Sequence, residues 1–93
     1  MEEKKTEQKL VKMTKIAGGV CWKFTSPGTA GVPDRIILMP GGGVGFVEVK
    51  SPGKKPRGLQ HHRMEELRRL GFRVFVLDDP EQIRGILDAI QAP

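Results

Sequence analysis

Hydrophobic positions change their period several times along the chain, and each change marks an element. From Lys4 to Ala17 the apolar residues Leu10, Val11, Met13 and Ile16 recur at helical spacing, and Gly18-Gly19 supplies a stop. Val20, Trp22 and Phe24 then share one side of a first strand, Val20 to Thr25, which ends in the turn cluster Ser26-Pro27-Gly28. Two further strands, Asp34 to Met39 and Val44 to Lys50, flank Pro40-Gly41-Gly42-Gly43 and form a hairpin. After a basic turn, Pro52 to Gly58, a helix is predicted from Leu59 to Leu70, with Leu59, Arg63, Glu66, Leu67 and Leu70 near one side and Gly71 as its stop. Phe72 to Leu77 alternates as a strand. Asp78-Asp79-Pro80 opens a final helix to Ile90, with Asp79 as cap, Pro80 at the first helical position and Ile83, Ile86, Leu87 and Ile90 as an inner stripe. The predicted order is αβββαβα, an α/β domain in which only the first few residues and Ala92-Pro93 look loose.

Both faces of the hairpin are apolar, so it is expected at the centre of a mixed sheet, covered on both sides by helices or by a second subunit. Its faces carry different chemistry. Glu48 and Lys50 point the same way, about 6.7 Å apart along the strand, while Val49 points into the opposite layer. Asp34 shares the face of Glu48 only if paired residue numbers sum to an even value. Pairing Leu38 with Phe46 or with Val44 satisfies this and leaves a loop of three or five residues containing the glycines; pairing Met39 with Val44 separates the acids. An even register, or a bulge that restores it, is expected.

Composition narrows the setting. The chain of 93 residues is expected to be a single domain, residues 1–93, whose modest size makes a partner subunit plausible. Sixteen Lys and Arg against eleven Asp and Glu give a net charge of +5, which favours a polyanionic partner such as nucleic acid. No apolar stretch approaches the roughly 18 residues of a membrane span, and the charged start lacks a signal-peptide core, so a soluble, intracellular (cytoplasmic) protein is expected. Cys21 is the single cysteine and reads as a small buried hydrophobe, and two adjacent histidines make no structural zinc set.

Two acids and a lysine on neighbouring strands suit phosphodiester cleavage, which needs a positioned water, neutralisation of the transition-state charge and help for the leaving oxygen. A hard divalent cation, Mg2+ or Mn2+, held by carboxylates supplies all three. Asp34 and Glu48 are the candidate ligands, the carbonyl of Val49 can complete the oxygen shell, and Lys50 can orient or help deprotonate the water.

Through Pro33-Asp34 and Glu48-Val49-Lys50, separated by a hairpin, the chain resembles the PD-(D/E)xK nuclease superfamily. Gly31-Val32-Pro33-Asp34, Val47-Glu48-Val49-Lys50 and the downstream Gln60 look most like the virus-type replication-repair (VRR) nucleases, over Glu7 to the strand ending at Leu77. The resemblance implies a restriction-endonuclease-like core and a Mg2+- or Mn2+-dependent nuclease, with Asp34 and Glu48 on the metal and Lys50 assisting the water. It also implies Glu7 as a leading acid that completes the metal site, and Gln60 as a contact to the water or a phosphate. Small standalone viral-type members are homodimers that prefer branched DNA, including four-way (Holliday) junctions, and that substrate is implied here on the same ground.

Plainer roles stand beside these. Glu7 can pair with nearby lysines, with Glu2 or Glu3 taking its place, and Gln60 can simply serve a first helical turn. Gly41-Gly42-Gly43-Val44-Gly45 lacks the ending of a phosphate loop and reads as a flexible hairpin tip. His61 and His62 diverge by about 100 degrees on a helix and read as a solvated or phosphate-contacting pair. Lys54, Lys55, Arg57 and Arg63 flank the proposed site and Lys12 lies on the first helix; they are the candidate contacts to the DNA backbone. The Ser26 to Gly31 loop either approaches the substrate or is a plain turn. A nuclease-like module that binds nucleic acid without cutting it is the alternative function.

Overall fold

Parity organises the sheet. In the computed structural model, which describes residues 2–91, four strands β1 (Val20–Lys23), β2 (Arg35–Met39), β3 (Gly43–Val49) and β4 (Arg73–Leu77) lie side by side in chain order. β1, β2 and β3 are antiparallel neighbours, and β4 joins β3 in parallel. Ile36 pairs with Phe46 and Leu38 with Val44, the even register expected from sequence, and the ladder continues to Met39 with Gly43, leaving a three-residue turn. Because Cys21 pairs with Ile37 and Val47 with Phe75, odd-numbered residues face one layer and even-numbered residues the other across all four strands.

The odd face is the main core. Cys21, Ile37, Met39, Val47, Val49 and Leu77 pack there against Leu10 of helix α1 (Glu3–Ile16) and Ile83, Ile86, Leu87 and Ile90 of helix α3 (Ile83–Gln91). The predicted inner stripe of α3 is therefore fully buried. Asp79 caps as expected, accepting from the Glu81 N–H at 2.9 Å, but Pro80–Gln82 forms a short 3-10 turn before α3 begins.

The even face carries the smaller core of Phe46, Met64 and Val74 under helix α2 (Leu59–Arg69), the crossover between β3 and β4. Here one expectation is corrected. Met64 is the buried residue of α2, with Leu67 packed beside it, whereas Leu59 and Leu70 are exposed, because α2 rests over the β3–β4 half of the sheet. On the even face of the β1 edge, Trp22 and Val20 are exposed. Met1, Ala92 and Pro93 lie outside the described residues, so the looseness expected of those positions is not addressed, and helix begins at Glu3.

Candidate active site

The even register makes Asp34 and Glu48 opposite neighbours at the end of the β2–β3 ladder. Two hydrogen bonds lock them: the Asp34 N–H donates to Glu48 Oε1 at 3.1 Å, and the Val49 N–H donates to Asp34 Oδ2 at 2.9 Å. The N–H and C=O of one strand residue point to the same neighbour, so the Val49 carbonyl also faces the Asp34 side. On the other side, the Lys50 N–H donates to the Leu77 carbonyl at 2.9 Å, which extends the junction with β4 and fixes the direction of Lys50.

Lys50 Nζ lies 3.4 Å from Glu48 Oε2 and donates to Gln60 Oε1 at 2.7 Å. Gln60, in the first turn of α2, is thus tied to the lysine, and with its oxygen accepting from Nζ its amide N–H groups are left for another acceptor. The structure therefore brings Asp34, Glu48, Val49, Lys50 and Gln60 together. The Glu48 side chain is only 2% exposed, and its pKa is raised, first by burial and second by the negative charge of Asp34; the hydrogen bond and charge of Lys50 pull the other way. A buried carboxylate held against the charge of a half-buried one is a donor set suited to a cation.

Glu7 has a partner the sequence did not suggest. On the odd face Arg35 Nε donates to Glu7 Oε2 at 2.6 Å, and Arg35 Nη1 donates to the Cys21 carbonyl at 3.3 Å. Among the described residues no three His, Cys, Asp or Glu side chains gather closely enough to hold one ion, so Glu7 stands outside the Asp34–Glu48 pair. Of the alternatives Glu2 and Glu3, it is Glu3 that lines the cleft beside Lys50, accepting from Ser51 Oγ at 2.8 Å.

That cleft, about 690 Å³, is walled by Lys50, Gln60, Lys54, Lys55 and Arg57. Three of the five predicted DNA-facing cations thus sit at the site. Arg63 is engaged elsewhere, since its Nε donates to the Ala30 carbonyl at 2.9 Å and its Nη1 pairs with Glu66 Oε1 at 3.2 Å. It fastens the loop before Asp34 to α2, where a Cβ on Gly31 would collide with Leu59, so that loop is a packed support. Lys12 is exposed on α1 and outside the cleft. Asp78, which no sequence motif singles out, accepts from the Gly53 N–H at 3.3 Å and anchors the basic turn to the end of β4.

The geometry has counterparts. The profile of the VRR-NUC domain family matches residues 2–79. The chain is 41% identical over 90 residues to "Putative nuclease p44" of Acyrthosiphon pisum secondary endosymbiont phage 1, covering 97% of this chain and 96% of that one. A solved structure described as a VRR_NUC domain superimposes with a TM-score of 0.86 at 29% identity, over 92% of this chain and 94% of the other. With the family profile spanning the helix of Glu7, the Asp34–Glu48 hairpin and the Gln60 helix alike, the chain belongs to the VRR-NUC domain family and is a nuclease.

Proposed function

We propose that this nuclease is a metal-dependent DNA endonuclease, selective for branched DNA such as four-way junctions, and that it acts as a homodimer. The observation that carries the hydrolytic reading is the Asp34–Glu48 pair, locked on one face of neighbouring strands with Lys50 beside it. Mg2+ or Mn2+ fits this donor set, since such ions are commonly held by one or two carboxylates and complete their shell with waters and substrate phosphate. Asp34, Glu48 and the Val49 carbonyl would hold it, and Glu7, held by Arg35, is assigned to its surrounding waters. When bound, the ion supplies Lewis-acid stabilisation of the phosphoryl oxygens and a more acidic water.

The chain's own groups do the rest. Lys50 brings a positive charge and proton donors to the developing negative charge, Gln60 keeps that ammonium in place and offers its amide N–H groups to a phosphate oxygen, and Lys54, Lys55 and Arg57 hold the flanking backbone. A two-fold dimer presents equivalent sites to equivalent strands of a junction, which motivates the substrate and the assembly together.

One assay tests the reading. Labelled four-way junction, flap and linear duplex are incubated with Mg2+, Mn2+ or chelator, beside Lys50→Ala. Metal-dependent nicking strongest on the junction, and lost in the variant while binding persists, supports it; binding without cutting favours a non-catalytic module. A solution mass matching one chain at all concentrations overturns the homodimer.

A further inference from the structure

The basic turn separates two clefts. Lys54, Lys55 and Pro56 line the 690 Å³ cleft that holds Lys50, and the same three residues line a second cleft of about 380 Å³ on their other side. His61 and Val76 are among its remaining walls. Gln60 lines the first cleft and His61 the second because consecutive helical residues diverge by about 100 degrees. The ridge between the clefts is fixed: the Lys54 N–H donates to the Ser51 carbonyl at 2.9 Å and the Gly53 N–H to Asp78 Oδ2 at 3.3 Å. Asp78 also borders the second cleft, but its other oxygen is taken by Gln82 Nε2 at 2.9 Å, so both are engaged within the chain.

We propose that the strand being cut continues, unpaired, over the Lys54-Lys55-Pro56 ridge and lays its next nucleotide in this second cleft. The volume suits one nucleotide. Pro56 and Val76 give an apolar wall for a sugar or base face, and Lys54, Lys55 and the His61 imidazole meet the phosphate. Turning a duplex, stiff over about 150 base pairs, over three residues requires kinking and unstacking that a strand freed from its complement does not incur. The second cleft thereby supplies a physical reason for branch preference; it rests on the first cleft being the hydrolytic site.

The test uses the whole chain in chelator, so that no cutting occurs, with fluorescence anisotropy on a plain duplex and on the same duplex with one splayed single-stranded arm. His61→Glu, which places a negative charge in the second cleft, is expected to weaken binding of the splayed substrate about fivefold at 0.15 M salt and to leave plain duplex unchanged. Arg84→Glu, at an exposed position of α3 outside both clefts, is expected to change neither. A His61→Cys variant is expected to cross-link by thiol–disulfide exchange to a tether held as a mixed disulfide on the nucleotide adjoining the cut, expelling the small capping thiol, and not to the same tether on the complementary strand. Equal losses on both substrates, no loss, or cross-linking to the complement overturns the proposal. Cutting by the unmodified protein in Mn2+ is scored separately: if cutting persists while these results fail, the second cleft alone falls, and if no substrate is cut, both readings fall.

Discussion

Asp34 and Glu48 hold each other through the backbone, the N–H of Asp34 donating to Glu48 Oε1 at 3.1 Å while Asp34 Oδ2 receives the Val49 N–H at 2.9 Å. The arrangement aligns two carboxylates that repel. Burial and the Asp34 charge raise the pKa of Glu48 above its ordinary 4.5, so the folded chain binds the Glu48 proton more tightly than the unfolded chain does. That contribution is present below the ordinary carboxylate range and is lost as pH rises through the raised value. Asp34→Asn removes one of the two causes and can keep the Val49 hydrogen bond. Urea unfolding in chelator at neutral pH is expected to show it more stable than the unmodified protein by about 1 kcal/mol, while nicking falls on the order of 10²–10³-fold. A less stable variant would show that the carboxylates support the fold instead of straining it.

Gln60 acts through Lys50. Removing its carbonyl oxygen leaves Nζ with Glu48 Oε2 at 3.4 Å as its described partner, so the ammonium loses a fixed direction. Gln60→Ala is expected to slow single-turnover cleavage about 10–100-fold, as loss of an orienting partner commonly does, with little change in DNA affinity. An equal fall in affinity would make Gln60 chiefly a DNA contact.

Glu7 combines a structural role with a proposed metal-side one. Its pair with Arg35 is partly buried, with side chains 25% and 14% exposed, and Arg35 also holds the Cys21 carbonyl. Glu7→Gln keeps a hydrogen-bond acceptor and loses the charge. Stability is expected to fall by about 1 kcal/mol, and Mn2+ affinity measured by calorimetry about tenfold, the scale for an outer-shell group. Unchanged Mn2+ affinity would leave Glu7 a purely structural partner of Arg35.

Much of this is legible in the chain because period-two geometry is unforgiving. The parity of Asp34 and Glu48, the strand pairing and the α3 stripe follow from where apolar residues recur, and the structure has them so. What the sequence hides depends on contacts between distant segments. Arg35 lies on the odd face, as its number requires, but only the path of α1 reveals Glu7 above it. Arg63 looks like any surface cation until the Ala30 carbonyl is seen beneath it. Met64 does not stand out as the anchor of α2 because the leucines around it suggest a different stripe, and the position of α2 over one half of the sheet decides which stripe is buried.

Cys21 illustrates a group silenced by its place. Burial pushes its thiol up to about 11, with the Arg35 charge lowering and the Glu7 charge raising it. The unfolded thiol ionises near 9.0, so between that value and about 11 the unfolded chain has released a proton the folded chain still holds. The contribution to stability is thus present below the first value and lost as pH rises through the second. Iodoacetamide is expected to label the native protein at pH 8 far more slowly than the urea-unfolded chain, since the thiolate is the reactive form. Comparable rates would mean the odd face opens at Cys21.

Gly43 makes the last case, because the glycine-rich segment reads as a flexible tip and the structure makes part of it strand. A Cβ at Gly43 would run into the backbone carbonyl of Ile90, and one at Gly45 would meet the Ile90 side chain at 2.5 Å. The two collisions differ in kind. The Ile90 side chain can change rotamer, whereas its carbonyl moves only if α3 moves, and α3 carries four of the buried core residues. Gly43→Ala is therefore expected to lower stability by about 2–3 kcal/mol, and Gly45→Ala by less. Gly41→Ala meets no atom, but its φ of +88° makes a side chain strained there, so about 1 kcal/mol is expected. Thermal unfolding of the three variants gives the order, and a Gly43→Ala protein as stable as the parent would show that α3 is free to lift away from β3.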